Sequence, residues 1–77
     1  MTYNEAVVSI FPHALYKHFK GDVYEVLGIA KHSETLEPIV LYQDISYRRF
    51  IWARPASMWF DEVAPGVKRF ERKVINS

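Results

Sequence analysis

The chain contains no cysteine. That excludes disulfides, thiolate nucleophiles and cysteine-ligated zinc together. It also favours a reducing compartment, because small secreted domains usually rely on disulfide staples. No apolar run approaches the roughly 20 residues of a membrane-spanning helix, and no basic start leads into an apolar stretch as in a signal peptide. The expectation is a soluble, cytoplasmic protein with no membrane partner. Repeats, linkers and low-complexity tracts are absent, and 77 residues leave no room for a second domain. Arginine is missing before position 48: residues 1–47 hold three lysines against six carboxylates, and residues 48–77 hold seven basic groups against three carboxylates. Such a split suits either attraction between the two parts or an anionic partner, and a net charge of only +1 favours the first.

Bulky residues are abundant. Apolar side chains make up 49% of the chain and aromatics 16%, which argues against disorder. Each aromatic buries about 150–250 Å², enough to build a core in a domain this small. Residues 1–14 have no clear period; Ala6–Phe11 is apolar enough for an added strand or a short turn, and Pro12 ends it. The core is expected over residues 15–74.

The pattern sharpens at Leu15. Residues 15–20 suit a strand, Gly21-Asp22 a turn, and Val23–Lys31 the strongest strand, with Val23, Glu25, Leu27 and Ile29 on one face and Tyr24, Val26, Gly28 and Ala30 on the other. Gly28 marks a bulge or bend. His32–Glu37 reads as a loop, and Pro38 opens a further strand. Tyr47–Ala53 follows as another, its alternation setting Arg48, Phe50, Trp52 and Arg54 on one face. Pro55 suits the first position of a helix over about 55–63, which Pro65-Gly66 would stop. Val67–Val74 returns to strand, with Phe70 and Val74 as anchors, and frays at Asn76-Ser77. The fold class expected is mainly β, a small antiparallel SH3-like barrel or strongly curled sheet with one short helix; an α+β roll is the alternative.

Chemistry concentrates in His32-Ser33-Glu34-Thr35. A histidine beside hydroxyls and a carboxylate has the parts of a general base and nucleophile, yet adjacent residues on a strand point to opposite faces, and Ser and Thr commonly bond the backbone of their own turn. His13, His18 and His32 show no metal-ligand spacing, so neither a metal nor a cofactor is expected. Arg54, held extended by Pro55 and next to Trp52, presents a rigid fork for a phosphate or carboxylate; stacking on a ring, or pairing with Glu34, Glu37 or Asp44, would occupy it instead. Arg48, Arg49, Lys68, Arg69, Arg72 and Lys73 interleave with Phe50, Trp52 and Phe70, a mixture suited to nucleic acid if the rings are exposed. In so small a chain those rings are expected in the core.

The run Tyr16-x-His18-Phe19-Lys20-Gly21-x-x-Tyr24-x-Val26, then Ala30-x-His32-Ser33-Glu34-Thr35-x-Glu37, Val40-x-Tyr42 and Trp52-x-Arg54-Pro55-x-x-Met58, resembles the DUF1653 family of short bacterial proteins over about residues 15–70. The chain departs from that pattern at Trp59, which separates Met58 from Phe60, and in its basic Asp44–Arg49 turn. The resemblance implies a small, mainly β domain in a bacterial cytoplasm and carries no activity. The functional expectation is therefore a binding module with a polar rim of His18, His32, Ser33, Glu34, Thr35 and Arg54, its ligand anionic, a nucleic acid or a phosphate. Two alternatives stand beside it. One is a small hydrolase or transferase using His32 with Ser33 or Thr35. The other is a subunit-interface protein, a homo-oligomer burying aromatics such as Trp59.

Overall fold

The computed structural model describes residues 1–73. Helix α1 (Tyr3–Ser9) precedes strands β1 (Leu15–His18), β2 (Val23–Lys31), β3 (Pro38–Asp44) and β4 (Tyr47–Pro55). A single 3-10 turn (Ala56–Met58) then leads to β5 (Glu62–Ala64), β6 (Val67–Lys68) and β7 (Phe70–Lys73). Five strands form one antiparallel sheet in the order β4-β3-β2-β1-β7, and β5 and β6 form a separate hairpin. Among the described residues the sheet is open, with β4 and β7 at its edges. The mainly β expectation holds, but the sheet does not close into a barrel.

Three elements differ from the sequence reading. The strand expected over 67–74 divides into β6, in the hairpin, and β7, at the edge of the main sheet. Residues 3–9 are a helix, where a strand or short turn was expected. The reason is local: Thr2 Oγ1 accepts from the Glu5 amide at 3.2 Å, and the Thr2 amide donates to Glu5 Oε1 at 2.9 Å. This reciprocal cap satisfies two N–H groups that a helix start otherwise leaves bare. The helix then buries Ala6, with Ile10 following it into the core. The helix expected over 55–63 shrinks to one 3-10 turn. Asp61 leaves the helical path because its backbone carbonyl accepts from the Arg69 amide at 2.9 Å, and Pro65-Gly66 becomes the tip of the β5–β6 hairpin, with Gly66 at φ +77°.

The core lies on one side of the sheet, under α1 and the 3-10 turn. It comprises Ala6, Ile10, Tyr16, Val26, Val40, Ala56, Trp59 and Phe70. Trp59 is 0% exposed. Its ring stacks on Phe70 at 4.2 Å and 7°, while Tyr16 and Tyr42 meet it edge-on at 5.3 and 5.1 Å. Edge-on contacts set the positive rim of one ring on the negative face of another. Burial of a ring this size stabilises the fold by about 4–6 kcal/mol. With Trp59 inside its own core, the motive for an interface built on that residue disappears. The second expected anchor of the last strand, Val74, and the frayed Asn76-Ser77 lie outside the described residues.

Irregularities decide which side chains face that core. The β2–β3 register shifts between Val26 and Gly28, as the glycine suggested. Val26 pairs with Tyr42 and Ile29 with Val40, so Ile29 joins the face of Tyr24 and Val26 rather than the opposite one. A second shift, between Tyr42 and Asp44, breaks the alternation expected along β4. Trp52 pairs with Tyr42 and Arg54 with Val40, on the core side. Arg48 instead reaches Glu25 Oε1 at 2.7 Å and Gln43 Oε1 at 3.1 Å, across the other face. His13, at φ +66°, adds its Nδ1 to Glu25 at 3.0 Å. These two bonds, from His13 first and then Arg48, lower the Glu25 pKa from its ordinary value.

Candidate functional site

Beyond Trp59 and Phe70 the core face opens to solvent as a cavity of about 230 Å³. Its walls are the rings of Tyr24, Tyr42, Trp52 and Phe70, and its polar groups come from His18, Arg54 and Arg69. Tyr24 and Tyr42 touch edge-on at 5.3 Å, and each touches Phe70 edge-on, at 5.9 and 5.4 Å. Register explains the assembly: Tyr24, Tyr42 and Trp52 lie on one side of the adjacent strands β2, β3 and β4, and Phe70 pairs with His18 across β1 and β7.

The two arginines share one carboxylate. Arg54 donates from Nη2 to Asp61 Oδ2 at 3.3 Å and from Nε to the Met58 carbonyl at 3.1 Å. Arg69 donates from Nε to Asp61 Oδ1 at 3.0 Å and Oδ2 at 3.3 Å. The backbone locks this group, since the Arg69 amide donates to the Asp61 carbonyl and the Arg69 carbonyl accepts from the Phe19 amide, both at 2.9 Å. Two guanidiniums and one carboxylate leave a net charge of +1. Nη1 of Arg54 and both terminal nitrogens of Arg69 have no protein partner among the described residues. Fixed, part-buried N–H donors of this kind bind carboxylate or phosphate oxygens.

His18 completes the rim. The tight turn from His18 to Asp22 depends on Gly21 at φ +111°, a conformation that side chains with a Cβ rarely adopt. Within it the Lys20 amide donates to His18 Nδ1 at 3.2 Å. A nitrogen that accepts carries no proton, so the ring proton sits on Nε2. Burial, then the neighbouring Arg69 and Lys20, push the His18 pKa below its ordinary value, and Asp22 opposes them only in part. The cavity thus holds a neutral imidazole beside two cations.

Of the six residues expected on the rim, His18 and Arg54 meet at this cavity, where Arg69, Trp52 and Phe70 of the basic and aromatic mixture join them. His32, Ser33, Glu34 and Thr35 do not line it; they follow β2 at the end away from Tyr24, about 26 Å along the strand. Their polar groups hold a turn together. His32 Nδ1 accepts from the Glu34 and Thr35 amides at 3.2 and 3.3 Å, and Thr35 Oγ1 accepts from the Glu37 amide at 3.3 Å. The His32 and Leu36 amides close the turn on the Glu37 and His32 carbonyls, both at 2.8 Å, with Leu36 at φ +62°. The His32 ring therefore has no unprotonated nitrogen left to activate Ser33 or Thr35. Arg54 pairs with Asp61, not with Glu34, Glu37 or Asp44, while Glu37 accepts from Ser57 Oγ at 3.4 Å.

Sequence reasoning missed Asp61, Tyr24, Tyr42 and the pairing of Arg69 with Arg54. Only a weak signal was present, an acidic residue amid the basic second part. Trp52 and Phe50 were assigned to the core, yet both are half exposed. No His, Asp or Glu cluster suited to a metal occurs among the described residues. No helix among them is long and apolar enough to cross a membrane.

A family model described as a protein of unknown function, DUF1653, matches residues 14–72. The chain belongs to this family. A crystal structure of a family member from Bordetella bronchiseptica is similar, with 33% sequence identity and a TM-score of 0.66 over 84% of this chain and 88% of that one. No match was found among curated proteins. The matched span starts after α1 and takes in every residue of the cavity.

Proposed function

We propose that this DUF1653 protein is a binding module whose cavity takes the acidic group of a ligand that also carries a flat ring. One observation supports the reading above all: two guanidiniums, pinned by a single carboxylate, keep unpaired N–H donors beside an aromatic-walled cavity. The donors fit phosphate or carboxylate oxygens, and the walls fit a planar ring. At about 230 Å³ the cavity is smaller than the roughly 300–1,000 Å³ of pockets that enclose drug-sized ligands. A single ring or acidic group is the right size for it, and a whole cofactor is not. The bacterial source of the related structure and the lack of cysteine support a role in a bacterial cytoplasm.

Uridine and adenosine monophosphate, with inorganic pyrophosphate as a ring-free anion, are suitable probes. At low ionic strength the nucleotides are expected to quench Trp52 fluorescence saturably, more tightly than pyrophosphate. Arg69→Ala should weaken binding about tenfold, as loss of a charged hydrogen bond does, and added salt should weaken it further. Should none of the three anions give a saturable signal with the folded protein, the reading is wrong.

A further inference from the structure

The cavity is one end of a longer feature. Tyr47, Phe50 and Trp52 on edge strand β4 are 53%, 50% and 51% exposed. Their rings touch in series, Tyr47 to Phe50 at 5.8 Å and Phe50 to Trp52 at 6.1 Å, and Trp52 forms the cavity wall. The Arg49 guanidinium stands 5.8 Å from the Phe50 ring centroid. Small domains ordinarily bury such rings, and this chain buries Trp59 and Phe70 completely or nearly so.

We infer that this row is a track for single-stranded nucleic acid, whose bases stack on Tyr47, Phe50 and Trp52 while its phosphates face Arg49, Arg54 and Arg69. The inference rests on the cavity reading above and names the ligand class. Stacking rings interleaved with cations are what sequence-tolerant single-strand binding requires. Trp52 belongs to both the track and the cavity, so one base can enter the cavity while its neighbours lie along β4. A duplex hides the faces of its bases and cannot use the row.

Charge selects this occupant over a second copy of the chain. Strand β4 carries Arg48, Arg49 and Arg54 and no carboxylate. Antiparallel self-pairing centred on Ile51 would set Arg48 opposite Arg54, and like charges directly across a ladder destabilise it. Charged edges also protect a sheet from pairing with itself. The same arginines attract a polyanion.

The test compares uridine monophosphate, a short oligouridylate, a short oligothymidylate and a duplex of equal length, by fluorescence anisotropy or Trp52 quenching. Either oligonucleotide is expected to bind at least about tenfold more tightly than the mononucleotide, because added stacked bases contribute separately. Binding should fall with salt at a slope near roughly −2 on logarithmic axes, for three neutralised phosphates. Phe50→Leu keeps an apolar side chain on the strand but removes the ring. It should weaken oligonucleotide binding about tenfold and leave mononucleotide binding unchanged, and Phe50→Trp should restore it. The inference falls, with the cavity reading intact, if the mononucleotide binds as tightly as both oligomers, if the duplex binds equally well, or if Phe50→Leu changes nothing. If neither oligomer binds, the inference falls, and if uridine monophosphate, adenosine monophosphate and pyrophosphate also fail to bind, the cavity reading falls with it. A concentration-dependent dimer that Phe50→Leu dissolves, without oligonucleotide binding, would assign the row to a second copy. The ratio of the two oligomer affinities separates RNA from DNA as the source.

Discussion

Trp59, fully buried and stacked on Phe70 at 4.2 Å, lies on the same side of the sheet as Trp52, which is 51% exposed at the mouth of the cavity. Both rings border the same aromatic assembly, and Phe70 is buried beneath one and lines the cavity with the other. The difference is what covers them. Trp59 follows the 3-10 turn, which folds it back over the sheet between Tyr16, Tyr42 and Phe70. Trp52 stands on edge strand β4, and among the described residues it is left half exposed. A single sheet face thus has a half that makes the fold and a half left to meet a ligand, built from the same residue types.

The sharpest way to break that comparison is to truncate each tryptophan. Trp59→Ala should cost about 3–5 kcal/mol in urea denaturation, a large share of the stability of a domain this size. Trp52→Ala should cost about 1 kcal/mol or less, as half-exposed positions do, while abolishing the nucleotide-induced fluorescence change. Equal costs at the two positions would show that Trp52 belongs to the core after all.

Asp61 joins the two halves, and its replacement has a middle-sized effect. Asp61→Asn leaves both part-buried guanidiniums without their counter-charge, which should cost about 1–2 kcal/mol, less than breaking a fully buried pair. It raises the cavity charge from +1 to +2, so affinity for uridine monophosphate should rise at low salt. Unchanged stability together with reduced affinity would mean that Asp61 only orients the arginines toward the ligand.

His18 supplies the smallest effect. Its pKa in the fold lies below the ordinary 6.5, chiefly from burial and then from Arg69 and Lys20. Between the folded and unfolded values the unfolded chain binds more protons, so stability rises with pH across that window. The contribution is complete above about 6.5. It is lost as pH falls toward and through the folded value. The difference in urea midpoint between the wild type and His18→Gln, followed from mildly acid to neutral pH, should narrow as the solution is acidified. A difference independent of pH would show that His18 is not held neutral.

Much of this was legible in the chain. The strands over 15–18, 23–31, 38–44 and 47–55 follow from β-branched and aromatic runs cut by Gly21-Asp22, Pro38 and Pro55, because local stereochemistry decides such boundaries. The bulge at Gly28 was also marked. The α1 cap was legible but unread: Thr2-x-x-Glu5 is the signature of a reciprocal cap. The candidate site was legible only in part. His18 and Arg54 stood out by type, but the cavity also needs Tyr24, Tyr42 and Arg69 from three other stretches, and no spacing joins residues up to 51 positions apart, as His18 and Arg69 are.

The His-Ser-Glu-Thr stretch shows the converse. Its residue types suggested reactivity, while the turn uses His32 Nδ1 and Thr35 Oγ1 to satisfy backbone amides. Composition cannot reveal this, because a side chain that bonds its own turn and one that meets a ligand are the same residue.

By itself the sequence determined a cysteine-free, mainly β chain, the strands and turns from β1 to β4, and its membership of DUF1653. Each of these depends on residues close together or on a pattern read in order. Only the tertiary structure decided that the sheet stays open among the described residues, that Trp59 is buried while Trp52 is not, and that Arg54 and Arg69 meet over Asp61. The physical reason is register. An odd-numbered shift, one residue at Val26/Gly28 and three at Tyr42/Asp44, moves every following side chain to the other face. Where such shifts fall is set by packing across strands, not by the order of residues along one.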